Sequence, residues 1–249
     1  MPDEPATTDE AIPGAEDFDT RVTSIAALGE PVRRDLYRFV GSRPEPVSRD
    51  QAAAGVGIAR HVAKFHLDKL VDDGLLVVEY ARPSGRRGPG AGRPAKLYRR
   101  SPRELAVSLP ERHYELAGYL LARAVTEAEH DDAPVGDALR KAAHETGRTL
   151  GERARDRAGR RPSPSRLRAA VTDVLAESGY EPRDDESGIT LANCPFHALA
   201  RDFTDLVCGM NLDLMDGLVD GLGTAALDPQ LDPAPGRCCV RLRTPTAES

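Results

Sequence analysis

Residues 48–80 read SRDQAAAGVGIARHVAKFHLDKLVDDGLLVVEY, and this run decides the fold of the N-terminal half. Ser48, followed three residues on by Gln51, has the form of a capping box. In that arrangement the hydroxyl and the amide each satisfy a backbone N–H left over at a helix start. The helix it opens ends at Gly55. Gly55-Val56-Gly57 supplies a tight turn, because glycine takes positive φ without steric cost. A second helix is predicted over 59–73, where Val62, Ala63, Leu67, Leu70 and Val71 share one face. Gly74 suits its C-cap, and 75–80 reads as a strand.

Upstream, Val22, Ile25 and Leu28 fall on one face of a helical stretch that begins at Phe18. Gly29 breaks it. Pro31 is well placed as first residue of the next helix, where Val32, Leu36, Phe39 and Val40 form the apolar face. Residues 41–46 read as a loop. Downstream, 83–94 is a Gly/Pro/Arg loop and 96–99 reads as the returning strand. Helix, helix, turn, helix and two-stranded hairpin is the order of a winged helix-turn-helix, whose second helix enters the DNA major groove.

The charge distribution agrees. The 249-residue chain carries a net charge of -6, unevenly spread. Residues 1–20 hold seven acids and no base, 21–103 hold 17 Lys/Arg against 8 Asp/Glu, and 104–249 hold 17 against 25. A basic module between an acidic tail and an acidic second half points to nucleic-acid binding by the middle part. No run approaches the roughly 18 apolar residues of a spanning helix, which excludes a membrane span. The start MPDEPATTDEAIPGAED has neither a basic nor an apolar leader region, which excludes a secretory signal. The expectation is a cytoplasmic protein whose four cysteines are reduced thiols.

The wording IARHVAKFHLDKLVDDGLL at 58–76 and GRPAKLYRR at 92–100 is similar to the ArsR-like winged-helix regulators of bacteria. The resemblance covers residues 20–102 and implies a DNA-binding transcriptional regulator, a repressor. That family usually has Ser or Thr where this chain has Ala59, so a helix cap and a phosphate contact are missing here. With the apolar face turned inward, Arg60, His61, Lys64, Phe65 and Asp68 face outward. Arg60 suits guanine O6/N7, Lys64 a base or phosphate, and Phe65 a thymine methyl. Ser48 and Arg49, at the start of the preceding helix, join the candidate contacts. His66 reads as a satisfied, half-buried histidine. The wing contributes Arg82, Arg86, Arg87, Arg93 and Lys96, with Arg99 and Arg100 behind them and no acid from 82 to 100. Such a hairpin suits phosphates or a narrow minor groove. Recognition of this kind implies a homodimer on a near-palindromic operator of double-stranded DNA. Leu116, Tyr119, Leu120 and Ala124 mark the candidate dimer helix.

The remaining chain reads as α+β. Helices are predicted across 103–160, and Arg160-Arg161-Pro162-Ser163-Pro164 ends them. Another helix carries Leu167, Val171, Val174 and Leu175, closed by Gly179. Strands are predicted near 180–183, 189–193 and 239–242, with a helical stretch over 198–222. The expected fold class is therefore α+β. A disordered acidic tail (1–16) precedes a winged helix-turn-helix (17–102). A helical linker or dimerisation region (103–160) and a small α+β sensor domain (161–249) follow.

All four cysteines lie in that last part: Cys194, Cys208, Cys238 and Cys239. Cys194 ends one strand and Cys238/Cys239 start another. If those strands are antiparallel neighbours, the thiols meet at one end of the sheet, and the intervening helix can bring Cys208 there. The arrangement resembles the C-terminal half of iron–sulfur-sensing repressors of cluster-assembly operons. Cys194-Pro195-Phe196-His197 is also similar to the vinyl-reductase-like small-ligand domains fused to some regulators. The resemblance implies an iron–sulfur cluster, with zinc the alternative, and His197 as a further candidate ligand. Cys238 and Cys239 compete for one ligand position. Cysteine is also a small buried hydrophobe, a role that suits Cys208 between Val207 and Gly209. No nucleophile–base frame is present, so the expectation is a regulator and not an enzyme. Alternative readings are a structural zinc or small-ligand domain behind the winged helix, or a winged-helix module that binds protein.

Overall fold

A computed structural model of the chain describes residues 18–81 and 94–245. The expected acidic tail and the wing residues Arg82, Arg86, Arg87 and Arg93 lie outside the described residues. The chain forms two compact units that divide between Val107 and Ser108.

The first unit runs α1 (Phe18–Ala26), a 3-10 turn (Ala27–Gly29), α2 (Pro31–Gly41), β1 (Val47–Ser48), α3 (Arg49–Val56), α4 (Arg60–Asp72), β2 (Leu76–Ala81) and β3 (Ala95–Arg100). Pro31 opens α2 at its first turn, and the Glu30 carboxylate accepts from the Arg33 amide at 2.7 Å. Both halves of the Ser48/Gln51 capping box form, at 3.3 and 2.9 Å. Gly57 ends α3 at φ 73°, which produces the sharp turn into α4. Gly74, also at φ 73°, closes α4, where the Leu75 amide reaches back to the Leu70 carbonyl at 2.9 Å. The sheet order is β1-β3-β2, antiparallel throughout, with Val78 opposite Tyr98. Strand β1 was not expected: only two residues long, it pairs Val47 with Tyr98. The core is Leu36, Val40, Ala63, Leu67, Leu70, Leu76 and Tyr98, all within 2% of full burial. A Cβ on Gly55 would meet the Phe39 ring at 2.0 Å, so a side chain there would have to displace that ring. Helix α1 departs from expectation. It buries Ser24, while Val22 and Ile25 stay 38% and 37% exposed.

The second unit runs α5 (Tyr114–Asp131), α6 (Val135–Ala158), α7 (Pro164–Glu177), β4 (Pro182–Asp185), β5 (Gly188–Leu191), α8 (His197–Asp202), α9 (Thr204–Leu222), β6 (Asp228–Leu231) and β7 (Val240–Arg243). Its antiparallel sheet has the order β4-β5-β7-β6. Strand β6 was not foreseen, because Asp228-Pro229-Gln230-Leu231 is polar and holds a proline. At a sheet edge the missing N–H of Pro229 is tolerated. Helices α5 and α6, expected as a separate dimerisation region, share one core with the sheet and with α7 and α9. Leu116, Leu120 and Ala124 are buried in that core, so the proposed dimer stripe is used within the unit itself. Helices α6 and α9 meet backbone to backbone. A Cβ on Gly147 or Gly151 would lie 1.9 or 2.0 Å from the carbonyl oxygen of Leu214 or Leu218. On the facing helix, a Cβ on Gly217 or Gly221 would lie 1.9 or 2.2 Å from that of His144 or Arg148. The α+β class holds across the described residues.

Candidate nucleic-acid interface and thiol cluster

Helix α4 turns Ala63, Leu67 and Leu70 into the core and leaves Arg60, His61, Lys64 and Phe65 exposed. Phe65 is 68% exposed, a large apolar ring with no core role. Ala59 is the N-cap and makes no side-chain cap bond, as its missing hydroxyl requires. The Arg60 guanidinium lies 2.6 Å from Asp50 of α3, with both side chains well exposed. Such a pair is worth little in water and opens readily to a better partner. His66 is half-buried, its Nδ1 3.5 Å from the Glu30 carboxylate. Ser48 spends its hydroxyl on the capping box, and Arg49 lies against the Tyr98 hydroxyl.

One residue of the outward set, Asp68, turns instead to Lys96 of the wing set. Asp68 Oδ1 accepts from Lys96 Nζ at 2.5 Å and from the Tyr98 hydroxyl at 3.1 Å. Lys96 and Tyr98 sit on one face of β3, so this carboxylate ties the exposed helix to the root of the wing. Burial works against the charged carboxylate, but the Lys96 ammonium and both hydrogen bonds outweigh it and hold its pKa below the ordinary value. The same partners raise the Lys96 pKa against its own burial. Arg99 likewise pairs with Glu79 at 2.8 Å. Tyr80, 71% exposed opposite Lys96, was missed in the sequence. Its alternation with Leu76 and Val78 reads as core, yet that face is no longer covered at Tyr80.

This surface belongs to a helix-turn-helix. Residues 28–79 match the family model described as a helix-turn-helix domain. The match spans α2 to β2 and supports a DNA-binding transcriptional regulator. Comparisons with curated proteins and with solved structures give no match. Among the described residues no helix is long and apolar enough to cross a membrane.

Beyond the helix-turn-helix unit, the second unit gathers the four cysteines. Strands β5 and β7 are antiparallel neighbours, and the Cys238 amide donates to the Leu191 carbonyl at 2.8 Å. This places the start of β7 beside the end of β5, and Cys208 arrives on α9. Cys194 and Cys238, Cys238 and Cys239, and Cys239 and Cys208 are neighbours close enough for their thiols to interact. Three of the thiols are buried and Cys239 is half-buried. Behind them lies a buried polar pair: the Tyr180 hydroxyl donates to Asn211 Oδ1 at 2.5 Å, and Asn211 Nδ2 donates to Cys238 Sγ at 3.1 Å. The interaction with Cys238, then burial, pushes the Cys194 thiol well up. Burial pushes Cys208 up. For Cys238 the interaction with Cys194 pulls down, but Cys239 and burial prevail and the pKa rises to about 11. These three are neutral thiols at neutral pH.

Four sulfurs and no hard donor suit a thiophilic group in donor chemistry. Among the described residues no three Cys, His, Asp or Glu side chains stand ready around one ion. His197 is exposed at the first position of α8.

Proposed function

We propose that the protein is a transcriptional regulator that reads duplex DNA through α4 and its wing, and whose cysteine set reports redox or metal status. The observation that carries the first part is the helix-turn-helix match over a segment whose second helix presents Arg60, His61, Lys64 and Phe65 to solvent. Arg60 and Lys64 reach base edges, Phe65 packs on a thymine methyl, and Arg82, Arg86, Arg87 and Arg93 neutralise phosphates. The protein acts in the cytoplasm as a homodimer on a near-palindromic site, through a surface other than the buried face of α5.

The convergence of Cys194, Cys208, Cys238 and Cys239 supports the second part. Drawn together around one group, these thiols would hold an iron–sulfur cluster, with zinc the alternative. A bound cluster supplies an oxidant-sensitive link between β5, α9 and β7. Anaerobic purification with an absorbance spectrum, iron and zinc analysis, and DNA affinity with and without Cys194→Ser tests both parts. Iron with a cysteine-dependent spectrum and altered DNA affinity is expected. Colourless, metal-free protein whose affinity ignores Cys194→Ser would reduce the cysteines to core residues. Absence of salt-dependent binding to any duplex would overturn the DNA reading.

A further inference from the structure

Three cation–acid pairs of the helix-turn-helix unit, Arg60–Asp50, Arg99–Glu79 and Lys96–Asp68, differ in exposure. Arg60–Asp50 and Arg99–Glu79 are exposed on both sides, at 69%/64% and 50%/46%. Lys96–Asp68 is half-buried, at 29%/35%, and the Tyr98 hydroxyl donates to the same carboxylate oxygen. The Lys96 ammonium also stands 5.1 Å from the centre of the Tyr98 ring, in reach of its π face. An exposed pair exchanges its acid for a phosphate at little cost. A pair anchored by a third group and partly shielded from water does not.

That difference matters for sequence reading. Every Lys or Arg that meets a phosphate strengthens binding to all sequences alike. Specificity is the margin of the right site over that common level. A cation at the wing root, 28 residues from its acid in sequence, would add to the common level if it were released.

We propose that Asp68 is a specificity-determining residue that withholds Lys96 from DNA phosphates. It does so by holding the ammonium against α4, with Tyr98 fixing the carboxylate in place. Lys64, one turn earlier on α4, also acts on the Asp68 charge and keeps its own path to DNA. The inference rests on the DNA-binding reading above and assigns Lys96 to the inside of the interface, not to its contact set.

Affinity of the full chain for a random-sequence duplex, and for a site selected in vitro, is measured by fluorescence anisotropy across a potassium chloride series. Asp68→Asn keeps the side-chain shape and removes the charge. It is expected to tighten binding to the random duplex and to steepen the log–log salt slope by about 0.9, the increment for one added phosphate contact. The margin of the selected site over the random one narrows. Lys96→Met alone is expected to leave the slope at the wild-type value, and Asp68→Asn with Lys96→Met to restore it. A merely structural role for Asp68 predicts weaker binding to both duplexes at an unchanged slope, which overturns the proposal. So does a slope flattened by about 0.9 in Lys96→Met, which makes Lys96 a phosphate contact. If Asp68→Asn fails to fold, the Lys96→Met slope alone decides between these. A wild-type chain that binds neither duplex overturns the DNA-binding reading and this proposal with it.

Discussion

Alanine at Gly147 should separate α6 from α9, although alanine is the better helix former. The new Cβ would sit 1.9 Å from the Leu214 carbonyl oxygen, short by about 1.1 Å of the 3.0 Å that real Cβ contacts respect. The obstacle is backbone, so no side chain can swing away; one helix must move. Forcing a methyl into a closed core costs about 1–3 kcal/mol, and a rigid neighbour puts this case at the upper end. Replacing glycine in a helix interior returns about 1 kcal/mol. The net expectation is a loss of about 2 kcal/mol, or near 1 M in urea midpoint at a slope of about 2 kcal/mol/M. Gly118 of α5 is the control, since a Cβ there meets nothing within 4 Å. Gly118→Ala should gain up to about 1 kcal/mol. Urea unfolding of both variants and the wild type, followed by far-UV circular dichroism, reads the two signs. If Gly147→Ala proved as stable as Gly118→Ala, the backbone contact between α6 and α9 would be refuted.

Arg60→Ala should relax base preference by about 1–3 kcal/mol at one position, read as anisotropy against single-base variants of a selected site; equal discrimination by both proteins would displace α4 from base reading. Asn211→Ala should cost about 1–3 kcal/mol in urea unfolding, because the buried Tyr180 hydroxyl loses its acceptor; no change would mean that the hydroxyl finds another. The Asp68 carboxyl titrates below its ordinary value in the folded chain, so its contribution is present above the unfolded pKa of 3.8 and disappears as pH falls through the lower folded value. The stability gap between wild type and Asp68→Asn, about 1 kcal/mol or less, should therefore be constant near neutrality and vanish in acid; a gap indifferent to pH would deny the ion pair.

The helix-turn-helix was legible because its signals are local. A capping box, a glycine turn and a period of three to four residues each act within a few positions, and Ser48, Gly57 and Leu67 do what their spacing implies. The convergence of Cys194 with Cys238 followed from one topological condition, the antiparallel pairing of β5 and β7. What stayed hidden depends on partners distant in sequence. Asp68 looks outward on a helical wheel, and only the register of β3 brings Lys96 and Tyr98 to it. Val22 and Ile25 show a proper apolar period, yet the unit buries Ser24 of α1 instead. The contact between α6 and α9 escaped a search for large apolar side chains, since Gly147, Gly151, Gly217 and Gly221 work by having none. Their four-residue spacing on each helix was the available signal.

That contact also limits how the chain can change. When two side chains collide, trimming the second repairs the damage done by enlarging the first. At Gly147, Gly151, Gly217 and Gly221 the colliding partner would be a carbonyl oxygen, which every amino acid carries. No substitution at Leu214, Leu218, His144 or Arg148 removes it. A suppressor screen started from Gly217→Ala should therefore return revertants at codon 217, or changes elsewhere that stabilise the unit generally, and no compensating pair across the two helices.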